Sequence, residues 1–214
     1  MPNRKQRLTV TIAALLALIA LILGLFISQH VRKPHKIDPS QFHGTLLSKP
    51  RPVNHFELTG IDKKIFDNST LEGKWTLVFF GFTNCGYLCP TTMAELGKTY
   101  RLLEKKGVEN LPKVVMISID PERDSLDKLD SYVKAFDKHF YGARGDEKTI
   151  KTMTQELGIV YAKVALNDSD DVNDYDVEHT GTVMLFNPRG ELTAFFTTPH
   201  QANLIAEDYM LLTS

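Results

Sequence analysis

Two uninterrupted apolar, β-favouring runs, residues 75–82 and 114–119, constrain this chain more than any other feature. Runs of that length without polar alternation are buried on both faces when they form strands, the habit of a parallel sheet covered by helices. Between them, residues 91–106 carry Met93, Leu96, Tyr100 and Leu103 at helical spacing, and Gly107 is placed to end that helix. Strand, helix and strand in this order make a βαβ unit, so the two strands are expected side by side and parallel.

The turn from the first strand into the helix holds Cys85 and Cys89, the only cysteines among 214 residues. Pro90 suits the first helical position, and the residue before a proline is biased away from the α region. Cys89 is therefore expected as the N-cap, with Cys85 one loop earlier. Residues about one helical turn apart share a side, so the two sulfurs can meet. The helix N-terminus favours thiolate over thiol, which both metal ligation and disulfide exchange need. An exposed turn is a poor place for inert cysteines, so the pair reads as a metal or redox site.

The remaining pattern extends this unit. Residues 56–59 and 65–67 read as short strands around a turn at Gly60, Ile61 and Asp62. Asp120, Pro121, Glu122, Arg123, Asp124 and Ser125 follow the second buried strand and read as a turn, with Asp124 or Ser125 capping a helix over residues 126–136. They share the carboxyl-end rim of the sheet with the cysteines, where α/β sheets place their sites. A short strand at most is expected at 140–143, a helix at 147–157 closed by Gly158, and a strand at 160–165. Residues 167–176 are crowded with acids but lack the spacing and closing Glu of an EF-hand, so they read as a solvated loop. A hairpin, 182–186 and 192–196, turns around residues 187–190, and a helix over 203–212 closes the chain. This order is thioredoxin-like: an α/β fold with a central mixed sheet flanked by helices. In that fold the segment entering the hairpin packs against the cysteine turn. Ordinary thioredoxins have a cis-proline there, whereas this chain has no proline between Pro121 and Pro188 and offers His179. His179 is accordingly the third candidate ligand.

Ahead of this domain, Arg4, Lys5 and Arg7 precede twenty uncharged residues, 8–27, long enough for one helix to span a bilayer. No small-x-small cleavage pattern follows, and no cysteine that would make a lipoprotein anchor, so an uncleaved N-terminal transmembrane helix is expected. Arg32, Lys33 and Lys36 balance the leader's charges, leaving the positive-inside rule nearly silent. The short leader and the cysteine pair favour export, which places the globular part in the periplasm of a bacterial inner-membrane protein. The expected division is an anchor at 1–28, a proline- and histidine-rich linker at 29–52 and the thioredoxin-like domain at 53–214. Within the linker, His30, His35 and His43 fit no ligand spacing and read as solvated. The net charge of −1 includes +3 from the leader, so residues 29–214 carry −4 with histidines neutral. That balance disfavours nucleic acid as a partner.

Taken together, Phe82-Thr83-Asn84-Cys85, Cys89-Pro90-Thr91-Thr92, Ser118-Ile119-Asp120-Pro121-Glu122-Arg123-Asp124 and His179-Thr180 resemble the Sco/SenC family of membrane-anchored, thioredoxin-like copper proteins. The resemblance covers roughly residues 42–213. It implies that Cys85, Cys89 and His179 ligate one copper ion, as Cu(I), Cu(II) or both. It also implies a role in assembling the binuclear copper (CuA) centre of cytochrome c oxidase, with the oxidase's copper-bearing subunit and other copper chaperones or thiol reductants as partners. Two positions depart from the family's common pattern: Gly86-Tyr87 stands where Pro-Asp is usual, and Glu178 where Asp precedes the histidine. Neither departure removes a ligand. Two thiolates and an imidazole form a soft, low-coordinate set suited to Cu(I), with room for an added ligand on Cu(II), whereas a structural zinc site normally takes a fourth protein ligand.

Three functions compete on this reading. The first is a copper metallochaperone, which binds without turnover. The second is a thiol-disulfide oxidoreductase in which Cys85 and Cys89 are the redox pair and no metal is needed. The third is a peroxide-consuming or redox-sensing relative of the peroxiredoxins. His179 separates the first from the second, because copper binding needs the imidazole and dithiol exchange does not.

Overall fold

The computed structural model describes residues 4–31, 39–165 and 175–213, and within the first of these the side chains of Gln6 and residues 12–24. Two compact units result, Met1–Ile37 and Asp38–Ser214. The first contains helix α1 (Arg4–Val31). Its described leucines and isoleucines are exposed, with Leu15, Leu16, Leu21 and Ile22 each more than half accessible. Among the described residues no helix is long and apolar enough to cross a membrane. The span expected over residues 8–27 therefore rests on the sequence.

The second unit runs β1 (Thr45–Arg51), β2 (Glu57–Gly60), β3 (Ile65–Asp67), β4 (Thr76–Gly81), α2 (Leu88–Lys105), β5 (Lys113–Ser118), α3 (Leu126–Lys134), β6 (Tyr141–Arg144), α4 (Glu147–Leu157), β7 (Tyr161–Ala165), β8 (Tyr175–His179), β9 (Val183–Phe186), β10 (Leu192–Phe196) and α5 (Ala202–Thr213). Eight of the strands form one mixed sheet in the order β1-β10-β9-β4-β5-β6-β2-β3, and β7 pairs only with β8 in a separate ribbon. As the βαβ pattern requires, β4 and β5 are parallel, in register from Thr76↔Lys113 to Gly81↔Ser118. β6 extends the parallel part beside β5, while β9 runs antiparallel on the other flank of β4.

The apolar runs explain this centre. Every residue of β4 is buried, and Phe79 and Phe80 are fully so. Side chains of that size stabilise the fold by roughly 1.5–3 kcal/mol each when removed from water. Among the helices, α5 packs on α2 and α3 packs on β6, where Gly142 leaves space that Leu129 fills. Ends follow their local signals. Ser125 caps α3 by accepting from the Lys128 amide, Asp146 caps α4 in the same way, and Gly158, at φ 74°, closes α4 in the left-handed region that glycine adopts without penalty.

The domain begins earlier than composition suggests. Residues 45–51, expected as linker, form β1 at the sheet edge and pair antiparallel with β10. Phe42 stacks on Phe196 at 6.0 Å between ring centroids. His43 is not solvated linker either, since the buried Asp208 carboxylate accepts from its amide, from the Gly44 amide and from its Nδ1 at 2.8–3.0 Å. Composition misleads because an edge strand tolerates Pro50 and basic residues, which protect an open edge from further pairing. His30, His35 and the acidic residues 167–174 lie outside the described side chains. The segment entering β9 has no proline, as expected, and a cis peptide occurs at Thr198–Pro199.

Candidate metal centre

The site forms on the rim where β4 and β5 end. β4 ends at Gly81, Phe82–Tyr87 form a loop, and α2 begins at Leu88. An added Cβ at Gly81 would lie 3.0 Å from the Cys89 sulfur and 2.6 Å from the Phe79 ring, so glycine here lets the helix start press against the strand end. The expectation that Cys89 caps α2 is corrected. Tyr87 is the N-cap, without a side-chain bond, and Cys89 and Pro90 lie inside the first turn. Proline is harmless there because amides of the first helical turn have no intrahelical acceptor. The Cys89 amide instead donates to the Cys85 sulfur at 3.3 Å, so Cys85 does the capping.

Both cysteines are free; Cys85 is partly buried and Cys89 fully buried. The Cys89 thiol hydrogen-bonds the Cys85 sulfur, and with help from the Cys89 and Tyr87 amides this holds Cys85 down at about 4, against the opposing effect of burial. Cys89 is pushed the other way, chiefly by burial and by donating that bond, with the negative charge of Asp124 adding to it. One proton is thus kept on the inner sulfur while the outer one is thiolate. In the reduced, metal-free chain, iodoacetamide is therefore expected to modify Cys85 before Cys89. Its rate should stay nearly flat from about pH 8 to about pH 5, where an ordinary thiol slows about tenfold per unit. Mass-mapped alkylation across that range checks this, and a rate falling in step with proton concentration would show that Cys85 is a thiol.

His179 arrives from β8. In a strand, alternate residues share a face, so Tyr175, Val177 and His179 face inward while Asp176 and Glu178 face out. Its ring lies 5.9 Å from the Phe79 ring and 5.8 Å from the Phe82 ring between centroids. Nδ1 lies 3.1 Å from the Thr180 carbonyl and Nε2 lies 3.3 Å from the Cys89 sulfur. A proton on Nδ1, donated to that carbonyl, leaves the Nε2 lone pair aimed at the sulfurs, the arrangement of a histidine ligand. The three residues read from the sequence thus converge, with their ligand atoms within 4.8 Å of one another. Bond lengths of about 2.0–2.3 Å from one ion to nitrogen and sulfur need donors at that scale of separation. The donor set fits a soft, low-coordinate ion. Both departures noted in the sequence are peripheral: Gly86 and Tyr87 form the exposed loop tip, and Glu178 is on the outward face of β8.

Sequence reasoning missed the groups that hold this arrangement. Asp124, fully buried, accepts from the Thr83 amide at 3.2 Å, the Thr83 hydroxyl at 2.5 Å and the Ser118 hydroxyl at 2.6 Å, tying the cysteine loop to the end of β5. Asp120, equally buried, accepts from Arg123 Nε at 2.5 Å and the Tyr175 hydroxyl at 2.6 Å. The turn-and-cap reading found Ser125 and stopped there. Four ionisable residues in five positions at the end of a buried strand were the available signal.

The model of one protein family, SCO1/SenC, matches residues 45–213. A putative copper-binding protein of Stutzerimonas stutzeri is 30% identical over 154 residues, 72% of this chain and 73% of that protein. The solution structure of apo Sco1 from Thermus thermophilus is 33% identical with a TM-score of 0.69, covering 80% of this chain and 96% of that one. Copper-bound ScoI of Arabidopsis thaliana is 29% identical with a TM-score of 0.67, covering 74% and 95%. With a family match over most of its length, the Cys-Cys-His cluster and a thioredoxin-like sheet, the chain belongs to the SCO1/SenC family.

Proposed function

We propose that this chain is a membrane-anchored copper metallochaperone that binds one copper ion through Cys85, Cys89 and His179 and serves assembly of the CuA centre of cytochrome c oxidase. The observation that carries the reading is the convergence of the two sulfurs and the imidazole Nε2 within 4.8 Å, with the imidazole tautomer set by the Thr180 carbonyl. Copper is the cargo in this reading. Relatives are named as copper-binding, and the Sco family is named as one of cytochrome c oxidase assembly proteins. A partly buried Cys85 beside a fully buried Cys89 suits transfer, because an incoming thiolate of a copper-bearing subunit reaches the outer sulfur first. Anchoring rests on the uncharged residues 8–27 and on the exposed apolar side chains of α1, which are costly in water and at home in lipid. The domain faces the periplasm, an oxidising compartment that suits the cysteine pair.

One feature also suits a thiol-disulfide reductase. The lowered Cys85 thiol is a nucleophile, and Cys89 is placed to resolve a mixed disulfide. Copper titration separates the two. The reduced full chain, purified in detergent, is expected to take up one Cu(I) in competition with a chelator, and Cys85→Ser is expected to lose it. Disulfide reduction by the metal-free protein is measured on the same samples. Weak copper uptake that ignores Cys85→Ser, beside efficient disulfide reduction, would sink the chaperone assignment.

A further inference from the structure

The strand that delivers His179 is not hydrogen-bonded to the sheet that delivers the cysteines. β8 pairs only with β7, while β4, leading to Cys85, is central in the eight-stranded sheet. A metal site needs its donors held to about half an ångström, and a separate two-stranded ribbon does not supply that by itself. Apolar packing of Val177 and the chain's continuation into β9 place the ribbon, but apolar contacts are non-directional.

Directional contacts come from the turn after β5. Arg123 donates from Nε to Asp120 at 2.5 Å and from Nη1 to the Tyr175 carbonyl at 2.6 Å, and its guanidinium carbon stands 3.7 Å from the centre of the Tyr175 ring. The Tyr175 hydroxyl closes the triangle by donating to Asp120 at 2.6 Å. The guanidinium carbon also lies 5.9 Å from the centre of the Phe82 ring, which in turn lies 5.8 Å edge-on to the His179 ring. Arg123 thus grips β8 at its first residue and touches the aromatic shoulder of the ligand at its last.

We propose that Asp120, Arg123 and Tyr175 form a positioning clamp that fixes the His179 ligand over the cysteine pair. The proposal rests on the copper reading for its affinity readout only. The fork of Arg123 is essential to it, since one planar group must bond a carboxylate and a carbonyl while stacking on a ring, and lysine presents a single point charge.

The test uses the full chain carrying Arg123→Lys, Arg123→Gln or Tyr175→Phe, each with and without His179→Ala. Arg123→Lys is expected to weaken Cu(I) binding by about 10–100-fold, the usual cost of removing a partner behind a metal ligand. In the His179→Ala background the same change is expected to cost less than about twofold, because a clamp acts only through the ligand it positions. In the metal-free protein, amide exchange is expected to quicken at least about tenfold along β8 while β4 and β5 stay unchanged. An equal loss of affinity with and without His179, or unchanged β8 exchange, overturns the clamp. Should the Arg123 variants fail to fold, Tyr175→Phe, which deletes one hydroxyl, carries the same comparisons at smaller amplitude. A wild-type chain that binds no copper overturns the function reading, and β8 exchange then decides the clamp alone.

Discussion

Replacing His179 with alanine is expected to lower Cu(I) affinity by about a thousand-fold, roughly 4 kcal/mol, while leaving Cys85 reactive. Losing a partner behind a ligand costs 10–100-fold, and losing the ligand itself costs more. Among the described residues the metal-ligand group has no fourth member to take its place. The imidazole is also preorganised, since its Nδ1 bond to the Thr180 carbonyl and its contacts with Phe79 and Phe82 fix the ring before any ion arrives. Fold stability should change little, because the ring is only partly buried. The two readouts therefore move apart in a chaperone: competition titration with a Cu(I) chelator shows the loss, and alkylation of Cys85 proceeds near its former rate. Affinity within about threefold of wild type would remove His179 from the ligand set and leave a dithiol site.

The candidate cysteines were legible in the sequence because they stand in a pattern with a strong local rule. The cysteines lie between a buried strand and a helix, and β4, α2 and β5 formed where the runs and spacings placed them. His179 was assigned through the topology and through the family resemblance of His179-Thr180; the strand order brings it to the cysteines across ninety residues. The first turn of α2 was misread because the bias against α conformation before a proline is a tendency, and the Cys85 sulfur satisfies the amide that tendency would have freed. β1 was hidden because an edge strand selects proline and charge as a linker does. The clamp and the loop tether were hidden for another reason. Asp120, Arg123 and Asp124 look like a solvated turn in one dimension, and only the burial of the two carboxylates shows that Asp120 is paired with Arg123 and Asp124 is hydrogen-bonded.

That hidden polar cluster carries the second large effect. Asp124→Ala is expected to destabilise the domain by about 3 kcal/mol, lowering its unfolding temperature by roughly 10 °C. The carboxylate has no exposed atom to rehydrate, and its removal strands the Thr83 amide, the Thr83 hydroxyl and the Ser118 hydroxyl in a space too enclosed for bulk water. Asp124→Asn keeps the shape and one acceptor oxygen but points an amide N–H₂ at one of those donors, so about half the loss is expected. Thr83→Val leaves the backbone amide bonded and deletes one hydroxyl, which should cost about 1 kcal/mol. The order Asp124→Ala, then Asp124→Asn, then Thr83→Val is the signature of a tether graded by bonds lost, and thermal unfolding of the metal-free chain reads it directly. Thr83 sits two residues before Cys85, so copper affinity should fall in the same order, as the loop that presents the outer sulfur loosens. If Asp124→Ala unfolds within a few degrees of wild type, the loop is held by the packing of Phe82 and Cys89 alone and the buried carboxylate must be retained for another role.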